Sequence, residues 1–373
     1  MARSRVLHVI DSLGPGGAQS VLENLLRYGD RERFEYHAAT LHGEGVYAAR
    51  LRVLDVPVHS FARRKTDPFL PVRMASAIRA LRPDIIHTHL VVSCALGEWL
   101  RFFRPGHVVQ VSHLHFMVAA TPDYPYQNIL ERIIYRASDA VVACSRAVAR
   151  SYKPHHGEAR LHVVQNGIDD KRLTGCDAAR REATRRGLGI AGEAPVLISA
   201  ARLASVKNLA YGIQVFAELR RVRPDAVYLI AGEGAEEAAL RALAKELNLG
   251  ESVRFLGYRN DVPDLLAGSD LYMMPSLNEG LPMVLVEAMG VGCLPVVTPF
   301  EAGRELVRDG WNGARIPFDD AAVAAARVAQ LLEADRRQMA ARCVAFARRR
   351  FSASQMTRQV ESIYAELLRG GKS

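Results

Sequence analysis

The chain has 373 residues, 49% of them hydrophobic and 24% charged, which excludes a disordered or fibrous protein and exceeds what a single hydrophobic core organises. Its net charge of +9 is uneven, because residues 1–175 hold 23 Lys and Arg against 16 Asp and Glu while the remainder holds 26 against 24. The five cysteines, Cys94, Cys144, Cys176, Cys293 and Cys343, are scattered without C-x-x-C spacing, which argues against a zinc ribbon, a redox pair or a disulfide framework and points to a reducing cytoplasm.

At the N-terminus, His8 and Asp11 interrupt the apolar stretch of "MARSRVLHVIDSLG", so no secretion signal is expected. No window holds 18 uninterrupted apolar residues, so no transmembrane helix is expected either. Short, near-continuously apolar runs then alternate with helical patterns: "RVLHVI", "FEYHAAT", "DIIHTH", "HVVQVS", "DAVVAC" and "LHVVQN". Such runs suit parallel strands covered on both faces. After the first comes "DSLGPGGAQS", where Gly14, Gly16 and Gly17 permit either a plain tight strand-to-helix turn or one that offers the helix's first amides to an anion. A dinucleotide fingerprint would need glycine at position 19, and Gln19 stands there. His87 and His89 share one strand face, as do His113 and His115. Neither strand supplies a third ligand at a recognised spacing, so no metal is expected; a strand-end histidine donating to a substrate oxygen fits better, with a satisfied structural histidine as the bland alternative.

The polar stretch from Asp169 to Glu193 reads as a linker carrying one short helix, and the strand–helix alternation resumes with "APVLISAAR", "AVYLIAG", "SVRFLG", "DLYMMPS" and "CLPVVT". Ligands of doubly wound sheets bind beyond the carboxyl ends of the strands, so the residues just after each run carry the information. Arg202 and Lys207 follow the first of these runs. Cations above a helix N-terminus oppose its dipole, and a diphosphate would justify them; a solvated surface pair is the bland alternative. Gly257 closes "SVRFLG", where backbone groups could meet a flat base. The final segment, "FSASQMTRQVESIYAELLRG", places Met356, Val360, Ile363, Tyr364 and Leu367 at helical spacing behind Ser352 or Ser354 as N-cap candidates.

The stretch "NEGLPMVLVEAM" sets Glu279 and Glu287 eight residues apart. Within one helix they would lie about 12 Å apart along the axis, whereas hydrolase carboxylate pairs sit at about 5 to 9.5 Å. Pro282 favours a helix beginning near Leu281 or Pro282, leaving Glu279 and Gly280 in the preceding loop. The two carboxylates then suit different parts of one elongated ligand, unless Glu279 merely complements the helix dipole and Glu287 is a surface charge.

Taken together, "GPGGAQ", "NGID", "ARLASVKN", "FLGYRNDVPDLLAGSDLYMMPS", "NEGLPMVLVEAM" and "LPVVTPFEAGRELVRDGWNG" resemble the family-4 retaining glycosyltransferases, glycosyl transferases group 1. The resemblance implies a GT-B fold of the α/β class: two doubly wound Rossmann-like domains facing a central cleft, with a C-terminal helix packing back toward the first. The corresponding spans are 1–175 for acceptor binding, 176–353 for the nucleotide sugar and 354–373 for the helix. It further implies that Arg202 and Lys207 hold the donor diphosphate and that Glu279 contacts the donor sugar. Gly280, Leu281 and Pro282 would give backbone contacts, Glu287 would hold the ribose, and Gly16 and Gly17 would lie near sugar and diphosphate. Gly257 and Asn166 join the substrate-binding set. His113 best matches the family's cleft histidine, with His115 close by. Gln19 departs from the glutamate that many relatives carry after "GGA".

The expected reaction moves a sugar, with retention, from a nucleotide sugar to a lipid-linked or polysaccharide acceptor in cell-surface glycan biosynthesis. No cofactor and no metal is expected, since no Asp-x-Asp motif occurs. The basic first half favours peripheral contact with an anionic membrane face from the cytoplasm, and nucleic acid is not expected as a partner. A nucleotide-sugar epimerase or hydrolase of the same fold is the alternative; a nicotinamide dehydrogenase is weakened by Gln19.

Overall fold

The computed structural model describes residues 3–61, 67, 69–90, 92–94, 96, 108–115, 138–156, 160–175, 177–190 and 192–370; Cys176 lies outside these. The chain divides into two compact units, Met1–Asp169 with Ala353–Ser373, and Asp170–Ser352.

The first unit holds β1 (Ser4–Ile10), β2 (Phe34–Thr40), β3 (Val58–Ser60), β4 (Ile85–His89), β5 (Val109–Leu114), β6 (Ala140–Ala143) and β7 (Leu161–Val163). They form a parallel sheet in the order β3-β2-β1-β4-β5-β6-β7. Successive side chains alternate between faces, and the two faces differ in chemistry. On one, Leu7, Val9, Ala39, Leu41 and Ile86 pack with Met74 and Ile78 of the helix Leu70–Leu81. On the other, His8 stands in register with His87, and His89 with His113. The C-terminal helix Ala353–Gly370 buries Met356, Val360, Ile363 and Tyr364 in this unit, and leaves Leu367 half-buried. The buried Glu361 anchors that helix, its Oε1 accepting from the Tyr36 hydroxyl at 2.6 Å and from the Asp30 N–H at 2.7 Å.

The second unit holds β8 (Val196–Ala200), β9 (Val227–Ala231), β10 (Val253–Gly257), β11 (Leu271–Met274), β12 (Leu294–Val297) and β13 (Ala314–Arg315), parallel in the order β10-β9-β8-β11-β12-β13. Every apolar run read as a strand is one. The short edge strands β3 and β13 were not anticipated, because two or three residues carry no periodic signal. In both sheets the winding reverses beside the first strand, between β1 and β4 and between β8 and β11. Such switch points open the crevices in which α/β sheets bind ligands.

The stretch Asp169–Glu193 behaves differently from a linker. Its helix Ala178–Gly187, capped by Asp177 accepting from the Arg180 N–H at 2.7 Å, packs on the helix Val262–Gly268. A side chain at Gly268 would meet Thr184 at 2.6 Å, so glycine sets that approach. Arg185, 7% exposed, and Arg181 and Arg336 all reach the carboxylate of Asp270. The one short helix expected here is present, and its polar arginines are spent on one buried aspartate rather than on solvent. Among the described residues no helix is long and apolar enough to cross a membrane.

Candidate functional site

Beyond the ends of β8 and β11, two loops carry the cationic and acidic residues singled out by sequence. The β8 loop is held by backbone bonds to the turn after β9: Ala201 N–H donates to the Ala231 carbonyl at 3.0 Å and Leu203 N–H to the Glu233 carbonyl at 2.9 Å. Gly232, at φ +133°, makes that approach possible, since a Cβ there would lie 1.9 Å from the Ala201 carbonyl oxygen. Arg202 projects from this braced loop into solvent and has no ion-pair partner among the described residues. Lys207 ends a short 3-10 turn, Ser205–Lys207, and its Nζ meets Glu279 Oε1 at 2.6 Å. Ser276 Oγ donates to the same oxygen at 2.9 Å, and Leu277 N–H bonds the Val206 carbonyl at 2.9 Å. The two loops are thereby one structure. Both partners of the ion pair are largely shielded, so its Coulombic gain works mainly against desolvation and fixes geometry. Lys207 keeps two further donors for another ligand.

The helix Met283–Val291 begins one residue later than expected, with Pro282 as its N-cap, because Pro282 has an extended ψ of 97°. Its carbonyl accepts from Leu285 at 3.1 Å and Val286 at 3.3 Å. The amides of Met283 and Val284 precede those bonds and face outward from a helix start that has no acidic residue of its own. Glu279, Gly280 and Leu281 lie in the preceding loop, as read from sequence, and Glu287 lies on the helix. Burial pushes the Glu287 carboxyl up, and Arg172 at 3.5 Å partly opposes this. Gly257 ends β10 at φ +64°, a left-handed conformation that favours glycine, and its carbonyl accepts from Gly232 N–H at 2.7 Å. Sequence reading missed Arg172 and Ser276. Neither position carries a local signal; both act through residues more than a hundred or only three places away.

In the first unit, Gly16 caps the helix Gly17–Tyr28, and Gln19 donates to the Ser12 carbonyl at 3.0 Å. Gln19 thus braces the glycine loop from within. Gly45, which sequence did not flag, lets a neighbouring helix start press on it, since a Cβ there would stand 2.2 Å from the Leu13 carbonyl oxygen. Asp11, just past β1, accepts from the amide and hydroxyl of Ser93; burial raises its carboxyl despite these bonds.

The histidines are closer together than strand spacing alone suggested. His8, His87, His89, His113 and His115 share one face, with neighbouring ring centroids 4.2–5.4 Å apart. Burial drives His8 and His115 down to about 3 and His87, His89 and His113 well below the ordinary imidazole range. All five are neutral at pH 7. His113, the residue expected in a cleft, is fully buried among the other rings, whereas His115 at the strand end is partly exposed. Asn166 Nδ2 donates to His115 Nδ1 at 3.5 Å. The structure gathers Asn166, His113 and His115 in one unit, and Arg202, Lys207, Gly257, Glu279–Pro282 and Glu287 in the other.

Comparison with known proteins agrees with this geometry. Residues 15–172 match the model for glycosyltransferase family 4, and residues 180–350 match that for glycosyl transferases group 1. The chain is 27% identical over 330 residues to the N-acetyl-alpha-D-glucosaminyl L-malate synthase of Bacillus anthracis, covering 86% of this chain and 85% of that one. It is 27% identical over 317 residues to a GDP-mannose-dependent phosphatidylinositol monomannoside mannosyltransferase of Corynebacterium glutamicum, covering 81% and 82%. Among solved structures, Anabaena HepE in complex with UDP-glucose superposes with a TM-score of 0.85 at 23% identity, over 97% of this chain and 99% of that one. Several relatives are named as glycosyltransferases of phosphatidylinositol mannoside, lipopolysaccharide core or colanic acid synthesis, and an epimerase or hydrolase is not favoured. With both halves matched and the fold in agreement, the chain belongs to the family-4, group 1 glycosyltransferases of GT-B fold.

Proposed function

We propose that the protein transfers a sugar from a nucleoside-diphosphate donor to a hydroxyl of a lipid-linked or polysaccharide acceptor, with retention of anomeric configuration and without a metal at the leaving group. The observation that carries this reading is the Lys207–Glu279 pair at the β8/β11 switch point, beside Arg202 and an uncapped helix start. Departure of a nucleoside diphosphate leaves the bonding electron pair on a phosphate oxygen. The remaining donors of Lys207 and the amides of Met283 and Val284 are in place before that charge develops, and Arg202 reaches it from a braced loop. As the bond from the anomeric carbon to the phosphate oxygen breaks, the acceptor oxygen bonds that carbon and its proton passes to the departing phosphate oxygen, which carries the electron pair.

Glu279 is held through Oε1 by Lys207 and Ser276, so its other oxygen is the one assigned to a donor-sugar hydroxyl. Gly280, Leu281 and Pro282 supply backbone contacts there. Glu287 takes the ribose hydroxyls, and the backbone beside Gly257 takes the base. In the first unit, Gly16, Gly17 and Asn166 are proposed contacts. Because His113 is enclosed by other rings, ligand contact passes to His115, and His113 positions it. The HepE complex with UDP-glucose and the GDP-mannose-dependent relative name two donors worth testing first. Peripheral membrane attachment through the basic first half belongs to the same proposal.

The test is nucleoside diphosphate release from a panel of nucleotide sugars, supplied with membrane lipid extract as acceptor and with a chelator present. One donor should support release that depends on the extract, and proton NMR should find the anomeric configuration unchanged in the glycan formed. Release that requires added metal, or an inverted product, refutes the corresponding part.

A further inference from the structure

We propose that His8, His87 and His89 form a binding site for one divalent transition-metal ion, zinc by ligand type, inside the first unit and apart from the residues assigned to the donor. Each of the three offers a ring nitrogen within 4.8 Å of the other two. The pairing of β1 with β4 creates the set: a same-face pair on one strand, His87 and His89, meets His8 from the adjoining strand. The sequence expectation of no metal rested on the lack of a third ligand along either strand, and strand pairing supplies it.

A tetrahedral zinc bound at about 2.0–2.1 Å per imidazole holds its nitrogens about 3.3 Å apart, and His8 Nδ1 and His89 Nε2 already stand 3.0 Å apart. Second, His87 Nε2 is buried with no hydrogen-bond partner. Buried polar atoms are seldom left so. Third, the opposite nitrogen of His87 is engaged by the Tyr364 hydroxyl, which fixes the ring and its tautomer as the outer partners of metal-bound histidines do. Tyr364 lies in the field of Glu361, a buried carboxylate that can offset part of the ion's charge.

His89, His113 and His115 also converge within 4.8 Å. There His115 Nε2 stands 3.1 Å from His89, Asn166 reaches its Nδ1 at 3.5 Å, and both nitrogens of His113 are buried without a partner. The inner set is the better site for its outer partner: the Tyr364 hydroxyl holds the ring of His87 more closely than Asn166 holds that of His115. Zinc and cobalt favour such imidazole ligation over magnesium or calcium, which demand oxygen.

The test uses the full-length protein, stripped with chelator and titrated with zinc chloride against a chromophoric competitor, and separately loaded with cobalt chloride. One equivalent of tightly held zinc and an intense tetrahedral cobalt spectrum are expected. His87→Gln should weaken zinc binding by at least about 100-fold, and Tyr364→Phe, which leaves every ligand in place, by about 10- to 100-fold. Circular dichroism establishes that each variant is folded; should His87→Gln not fold, Tyr364→Phe and the wild-type cobalt spectrum decide. Sub-stoichiometric uptake, a weak octahedral cobalt spectrum, or wild-type affinity in folded variants would overturn the assignment, leaving a water-filled histidine cluster or the outer set.

Discussion

Acid should unfold the first unit before the second. In chelator-treated protein, His8, His87, His89, His113 and His115 are held neutral by burial, with pKa values lowered to about 3 for His8 and His115 and well below 6.5 for the rest. In the unfolded chain each titrates near 6.5, so below that pH the unfolded state binds protons that the native state refuses. A group with a depressed native pKa costs nothing above 6.5 and progressively more as the pH falls. Between pH 7.5 and 5.5 His8 and His115 each remove about 1.4 kcal/mol, about 3 kcal/mol together, and His87, His89 and His113 act in the same direction. Hydrogen exchange read by mass spectrometry, corrected for intrinsic rates, can follow peptides spanning β1 and β4 against a control spanning β8. The opening free energy of β1 and β4 should fall by several kcal/mol over those two pH units, and that of β8 far less. A fall of under about 1.4 kcal/mol, the share of one histidine, would refute the reasoning.

Gly232→Ala should destabilise the second unit by about 3 kcal/mol in urea melts, because the added Cβ would sit 1.9 Å from the Ala201 oxygen at a φ that alanine avoids. Asp270→Ala should cost about 3–5 kcal/mol, since it leaves Arg181, Arg185 and Arg336 without their shared carboxylate. Glu287→Gln should raise the melting temperature of ligand-free protein at pH 7. The native pKa of Glu287 is raised, so the stability tied to it is greatest in acid and declines as the pH climbs above about 4.5. Calorimetric melts at pH 7 and pH 4.5 check this, the advantage of glutamine vanishing at the lower pH.

How much of this was legible in sequence depended on the range of the interaction. The eleven apolar runs became strands because burial on both faces writes itself along the chain. Glu279 fell in a loop and Glu287 in a helix because Pro282 marks the border locally. The histidine cluster was half legible. Period two paired His87 with His89, but only the pairing of β1, β4 and β5 brings His8, His113 and His115 to the same face. The short helix expected between Asp169 and Glu193 is there as Ala178–Gly187, but its packing into the second unit was not legible, because Arg181 and Arg185 look solvated until their partner, Asp270, is known. Lys207 was read as a phosphate contact; its bond to Glu279 depends on two loops joined at Val206 and Leu277.

The most direct test of the account is calorimetric titration of nucleoside diphosphates into wild-type protein and into Arg202→Ala and Lys207→Ala. One nucleoside diphosphate should bind to wild type, and Arg202→Ala should weaken it by about 10- to 100-fold, the worth of a lost charge-assisted phosphate contact of about 1.5–3 kcal/mol. Lys207→Ala should weaken it further by freeing Glu279 beside the phosphates. Failure of every nucleoside diphosphate to bind, or equal affinity in all three proteins, would contradict the assignment of this switch point as the donor site.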